Sequence, residues 1–180
     1  MSRSLKNFSI NDIDGIIDYL NDYSASLEEK ALEFCQRLAD VGIAVAESNL
    51  GEWQGYVLFH KKVEGDKVVL IATDKSKVLK VWYTDKNQVN ERSYEVSPLL
   101  LAEFGSGWYA DNKLDIDGVG QGTMPEQTHA FDPKGWFWYD EGGEKHHSIG
   151  ERPTYPMYSA TIGMIIEIQR IAKEVFGNGI

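Results

Sequence analysis

Apolar and polar positions alternate differently along the chain, and each change of period predicts a new element. From Ser9 to Tyr23, Ile10, Ile13, Ile16, Ile17 and Leu20 recur at helical spacing with Asp and Asn between them. Ser26-Leu27-Glu28-Glu29 then reads as a capping box and predicts the start of a second, stronger helix. Leu27, Ala31, Phe34, Leu38, Val41 and Val45 form one apolar stripe along it, placed to lie across a sheet or against a neighbouring subunit. The helical region is thus 9–48. Over 53–96 the period changes to two. Tyr56–Phe59 and Val68–Ile71 flank the turn Glu64-Gly65-Asp66, Val78–Tyr83 predicts a third strand, and Ser93–Val96 a fourth.

The stretch 97–107 carries its own punctuation. Ser97 can cap a helix, Pro98 suits its first position, and Gly105 can end it at positive φ. Leu99, Leu100, Leu101 and Phe104 leave almost no polar face, and Glu103 is the only charge. Ser97, Pro98, Phe104, Gly105 and Gly107 are therefore read as a structural turn. An extended Gly- and Pro-containing loop is expected over 108–134, with glycine flexibility explaining Gly118, Gly120 and Gly122. A hairpin built on Trp136–Tyr139 follows over 135–150, and then a C-terminal helix over 157–176 with Gly177 as its stop. The predicted class is α+β: an antiparallel β-sheet packed against a long N-terminal helix and a C-terminal helix, in a single domain over 1–180.

Composition narrows the functional classes. An apolar share of 42%, with 12% aromatic residues, argues against disorder. A net charge of −10 argues against general nucleic-acid binding, which needs a basic surface to replace counterions. The charge is uneven. Residues 1–52 hold 4 basic and 10 acidic groups, 61–92 hold 8 and 5, and 103–144 hold 2 and 9. The lone Cys35 excludes an intrachain disulfide, fits a reducing compartment and reads as a small core residue. No apolar run follows Arg3 and Lys6, so no signal peptide is expected. Ala160–Ile166 falls far short of the roughly 20 residues that span a bilayer, so no membrane partner is expected.

Familiar catalytic and metal motifs fail on inspection. Asp115-Ile116-Asp117-Gly118 has the centre of a calcium loop, but Lys113 and Met124 stand where its first and last ligands belong. Gly118-Val119-Gly120-Gln121-Gly122 lacks the strand and helix of a phosphate cradle. His146 and His147 are adjacent, so on a strand they face opposite ways, and His60 and His129 have no ligand spacing. Phe104-Gly105-Ser106-Gly107-Trp108 follows a helix, where a nucleophile elbow follows a strand. Catalytic, metal and cofactor residues are therefore none. Trp108, Tyr109, Trp136, Trp138 and Tyr139 could stack on sugars or bases, but core packing and subunit contact explain them more simply.

A buried Glu-Phe-Gly-Ser-Gly turn, an aromatic and Gly-rich middle, then Gly150-Glu151-Arg152-Pro153-Thr154-Tyr155-Pro156-Met157-Tyr158-Ser159-Ala160 before a last helix follow in a distinctive order. From Tyr94 onward this order resembles the minor tail, neck or tail-completion proteins of long-tailed bacteriophages. The resemblance implies a structural virion protein at the head–tail junction, assembled in the host bacterial cytoplasm. Its partners would be copies of itself in a ring, and other neck or tail proteins, with DNA passing through and no tight sequence-specific nucleic-acid binding. On that reading the subunit interface is expected at Glu103, Phe104, Trp108, Trp136, Trp138, Tyr155 and Tyr158. The alternative is a small carbohydrate- or ligand-binding domain using the Trp-rich strand, and behind it a hydrolase with His146 or His147 as base.

Overall fold

A computed structural model describes residues 10–75, 77–85, 88–112, 120–124, 131–139 and 142–177. Its first element, α1, is one continuous helix over Ile10–Ser48, 39 residues long. This corrects the expectation of two helices divided at Ser26. No Gly or Pro lies between Ile16 and Val41, and one exposed serine costs a helix only a few tenths of a kcal/mol. The capping box is therefore bypassed, and Ser26 sits mid-helix.

Strands β1 (Val57–Glu64) and β2 (Lys67–Asp74) form an antiparallel hairpin in which Glu64 pairs with Lys67 across the predicted turn. Val57 and Phe59 point inward while Leu58 and His60 face solvent. Strands β3 (Lys77–Asp85) and β4 (Gln88–Val96) form a second hairpin, longer than the Ser93–Val96 strand expected. The short strands β5 (Trp136–Tyr139) and β6 (Lys145–Ser148) pair with each other, and β5 meets β3 through one pair, Trp82 and Tyr139. The class is α+β, but the strands make two small antiparallel sheets, β1-β2 and β4-β3-β5-β6, where one was expected. The Asp74 carboxylate, at the end of β2, is hydrogen-bonded to the start of the helix after β4.

That helix is α2 (Pro98–Phe104), and the C-terminal helix is α3 (Pro156–Phe176). Gly177 ends α3 in ordinary right-handed geometry, φ −75, so the stop needs no glycine-specific conformation. α1 and α3 run antiparallel. Phe34 packs on Phe176 with ring centroids 5.9 Å apart, Arg37 is paired with Glu174, and Val45 lies against Gly163. Gly42 lets α1 pass close to two partners at once, since a Cβ there would stand 2.8 Å from Leu70 and 2.9 Å from Met164. Lys61 on β1 reaches back to Asp40 at 2.6 Å. The main core is thus the C-terminal half of α1, the inner face of β1-β2 and the start of α3: Ala46, Leu50, Val57, Phe59 and Ala160, with Leu99 of α2 against them. A second cluster, Trp53, Val96, Leu101 and Ala102, seats α2.

Candidate functional site

α2 is capped as its sequence predicts. The Ser97 hydroxyl accepts from Leu100 N at 3.1 Å, and Pro98 occupies the first turn. A residue the sequence reading missed completes the cap. The Asp74 carboxylate accepts from the Ser97 hydroxyl and from Leu99 N, the latter at 3.2 Å, placing a negative charge at the helix start.

Gly105 has φ 69 as expected, but its ψ of −163 lies outside the left-handed helical region, in territory open essentially to glycine alone. A Cβ there would meet Glu151 O at 2.5 Å. The reason is a backbone pairing between two distant segments. Ser106 N donates to Glu151 O at 2.8 Å, Glu151 N donates back to Ser106 O at 3.2 Å, and Trp108 N donates to Ile149 O at 2.8 Å. Gly150 faces this pairing so closely that a Cβ would stand 2.0 Å from Ser106 O. Trp53 Nε1 donates to the Glu151 carboxylate at 3.1 Å and ties the second core cluster to the same place.

Glu103, the single charge of α2, has a definite role. Its carboxylate accepts from Met157 N at 2.8 Å and from Tyr158 N at 3.1 Å, so it caps α3 from another helix. The N-cap position itself, Tyr155, is left-handed with φ 54 and ψ 52, and its side chain does not cap. Instead the Tyr155 hydroxyl donates to Asp111 at 3.3 Å. Desolvation, and then the Asp111 carboxylate, push the Tyr155 hydroxyl pKa up. Thr154 N and Tyr155 N both donate to Ala102 O.

The described parts of the 108–134 loop are fastened here too. Gly107 N donates to Gly122 O, Gly122 N to Asn112 O, and the Asn112 amide to Gly120 O, each at 3.2 Å. Asn112 and Thr123 are buried. Gly122 has φ 76, so a left-handed turn is one use of that glycine; residues 113–119 and 125–130 lie outside the described residues, as does Gly118.

The expected interface residues separate into two groups. Glu103 is consumed as the α3 cap, and Phe104 is half-buried. Trp136 is half-buried with its ring against Gly107, where a Cβ would stand 2.5 Å from it. Trp108, Tyr155 and Tyr158 do face solvent. The side chain of Trp138 lies outside the described residues. Tyr155 and Tyr158 pack edge to face at 6.3 Å and line a shallow depression of about 350 Å³ with Glu103, Phe104 and Asp111. His146 and His147 sit on β6, and His147 Nε2 donates to Lys134 O at 2.7 Å, so that nitrogen carries a proton and cannot act as a base. Among the described residues no three His, Cys, Asp or Glu side chains gather as metal ligands, and no helix is long and apolar enough to cross a membrane.

Among the described residues, further bare apolar surface lies on the two long helices, of which the sequence reading placed Tyr158 at an interface and the stripe beginning at Leu27 against a sheet or a neighbouring subunit. On α1, Ile16, Ile17, Tyr19, Leu20, Tyr23 and Leu27 are exposed; on α3, Tyr158, Ile162, Ile165, Ile166 and Ile168. The signal was present in α3. Its apolar positions run from Ile162 through Val175 on too many sides for one partner to cover. Compared with protein-family models, curated proteins and solved structures, the chain matches none.

Proposed function

We propose that this chain is an assembly subunit of a tailed bacteriophage, completing the neck or tail as a ring of identical copies through which DNA passes. The observation that carries the assembly reading is the extensive bare apolar surface of α1 and α3. Contiguous exposed apolar area of this kind marks protein–protein contact. The place at the head–tail junction rests on the sequence resemblance from Tyr94 to the C-terminus. The acidic balance supports the channel role, because a negative lumen repels phosphates and lets DNA slide where a basic one would hold it.

Cryo-electron microscopy of purified tailed particles encoding this chain is the test. The expected result is a ring of copies at the neck or tail end. Absence of the chain from intact particles, by mass spectrometry of the same preparation, would overturn the reading.

A further inference from the structure

The depression beside the start of α3 differs from the bare helix faces in combining rings with charge. Phe104, Tyr155 and Tyr158 line it together with the carboxylates of Glu103 and Asp111. Tyr155 and Tyr158 stand edge to face at 6.3 Å, and both are exposed, as is Asp111. Asp111 Oδ2 accepts from the Tyr155 hydroxyl at 3.3 Å, and Glu103 accepts from Met157 N on one oxygen and Tyr158 N on the other. An ionised carboxylate has about four acceptor sites, so both groups keep capacity beyond these bonds. Neither charge is neutralised from within: among the described residues no Lys, Arg or His forms an ion pair with Glu103 or Asp111. Desolvation, then Asp111, and then Glu103 raise the Tyr155 hydroxyl pKa, so both carboxylates act on one ring.

Aromatic rings attract cations through their quadrupole, and two unpaired carboxylates beside the rings supply the counter-charge. The same two charges repel a phosphate, and a neutral ligand makes no use of them. A guanidinium suits this mixture better than an ammonium. Its flat faces stack on rings, its edge carries five donors for carboxylates, and it is the more weakly hydrated of the two. The chain already uses this mode close by: Arg152, three residues before Tyr155, stands over the Tyr109 ring at 4.7 Å from its centroid. That guanidinium does not line the depression. At about 350 Å³ the depression sits at the small end of ligand pockets, roughly 300–1,000 Å³, which suits one side chain.

We infer that this depression receives the guanidinium of an arginine side chain on a protein partner, held by the rings of Tyr155 and Tyr158 and the charge of Asp111. This rests on the assembly reading above and names the chemistry a partner brings to one surface. Glu103 adds its charge while remaining bonded to the first turn of α3.

Two-dimensional NMR of the full chain, titrated with N-acetyl-argininamide, tests it. The blocked probe stands for an arginine within a chain, N-acetyl-citrullinamide is its neutral isostere, and N-acetyl-lysinamide is the ammonium counterpart. Saturable shifts are expected at the amides of Asp111, Met157 and Tyr158, in the millimolar range, with the citrulline probe about tenfold weaker. Asp111→Asn keeps an acceptor for the Tyr155 hydroxyl and removes only the charge. Tyr158→Leu keeps apolar bulk and removes the ring face. Both positions are exposed, and unchanged spectra away from the depression check that each variant keeps its fold. Each variant should weaken the arginine probe about threefold or more. Equal binding of the citrulline probe, tighter binding of the lysine probe, unchanged affinity in either variant, or shifts confined to another surface overturns the inference. Free L-arginine binding more tightly than the blocked probe would mark a small-molecule site and overturn it too. None of these results touches the particle experiment, so the site can fail while the virion reading stands.

Discussion

The junction between α2 and α3 and the outward surfaces of α1 and α3 are both rich in large side chains, yet they are built on opposite terms. At the junction the backbones of Ser106, Trp108, Glu151, Thr154 and Tyr155 are bonded within the chain, Glu103 is spent on another helix, and Trp136 rests on Gly107. On the helices, Ile16, Leu20, Ile165 and Ile166 are held in place by nothing but their own helix and face water. Aromatic and charged residue types alone are thus a poor guide to which surfaces stay bare. Long-range hydrogen bonding marks the junction as built for folding, whereas the outer helix faces contribute little to the fold.

The sharpest way to break that contrast is Gly105→Val. A β-branched residue at φ 69 that also strikes Glu151 O is expected to cost about 3 kcal/mol or more, read as a fall in the urea midpoint. A change below about 1 kcal/mol would mean the junction is not rigid. Glu103→Ala should follow at about 1–2 kcal/mol, since two N–H groups in the first turn of α3 lose a charged acceptor. Glu103→Gln, with one carbonyl oxygen left, is expected to recover part of this. Acid titration gives a smaller effect on the tie between α1 and α3. Hydrogen bonds from Arg170 and then Arg37 hold the Glu174 carboxyl below its ordinary range. Its contribution is therefore complete above that range and disappears as pH falls through the lowered value. Glu174→Gln should remove that part of the acid dependence, and an unchanged acid profile would show the tie is idle. At the bottom of the scale, Leu20→Asp should alter monomer stability by no more than about 0.5 kcal/mol, because the monomer buries nothing there. A loss of about 2 kcal/mol at that position would show that this stretch of α1 belongs to the fold and erase the distinction.

Local rules made local structure legible. Ser97, Pro98 and Gly105 bracket α2 because a cap, a first-turn proline and a positive φ are satisfied within a few residues. The β1-β2 hairpin was legible at Glu64-Gly65-Asp66 for the same reason. What stayed hidden depends on residues far apart in sequence. Glu103 finds its partners at Met157 and Tyr158, and Asp74 at Ser97 and Leu99, so neither role has a local signature. The division into two sheets, β1-β2 and β4-β3-β5-β6, likewise depends on which distant strands pair and has no local signature. At Ser26 a good local signal was overruled, because uninterrupted helix formers on both sides outweigh a single unused cap. The bare surfaces were partly legible, as an apolar pattern on α3 wider than one partner can cover.

The glycine-thinned crossing of α1 acts as a fulcrum. Gly42 is pinched between Leu70 and Met164, and Val45 rests against Gly163, while the tip at Asp14 stands about 42 Å away along a rod without breaks from Ile16 onward. A tilt of about 5° at the crossing therefore swings the tip by about 4 Å, close to the width of a methyl-bearing side chain. Gly42→Ala would bring a Cβ within 2.8 Å of Leu70 and 2.9 Å of Met164, and any part of that crowding not relieved by the two side chains is multiplied by the length of the arm. The direction in which the arm points is then geared to a packing contact buried far from its tip.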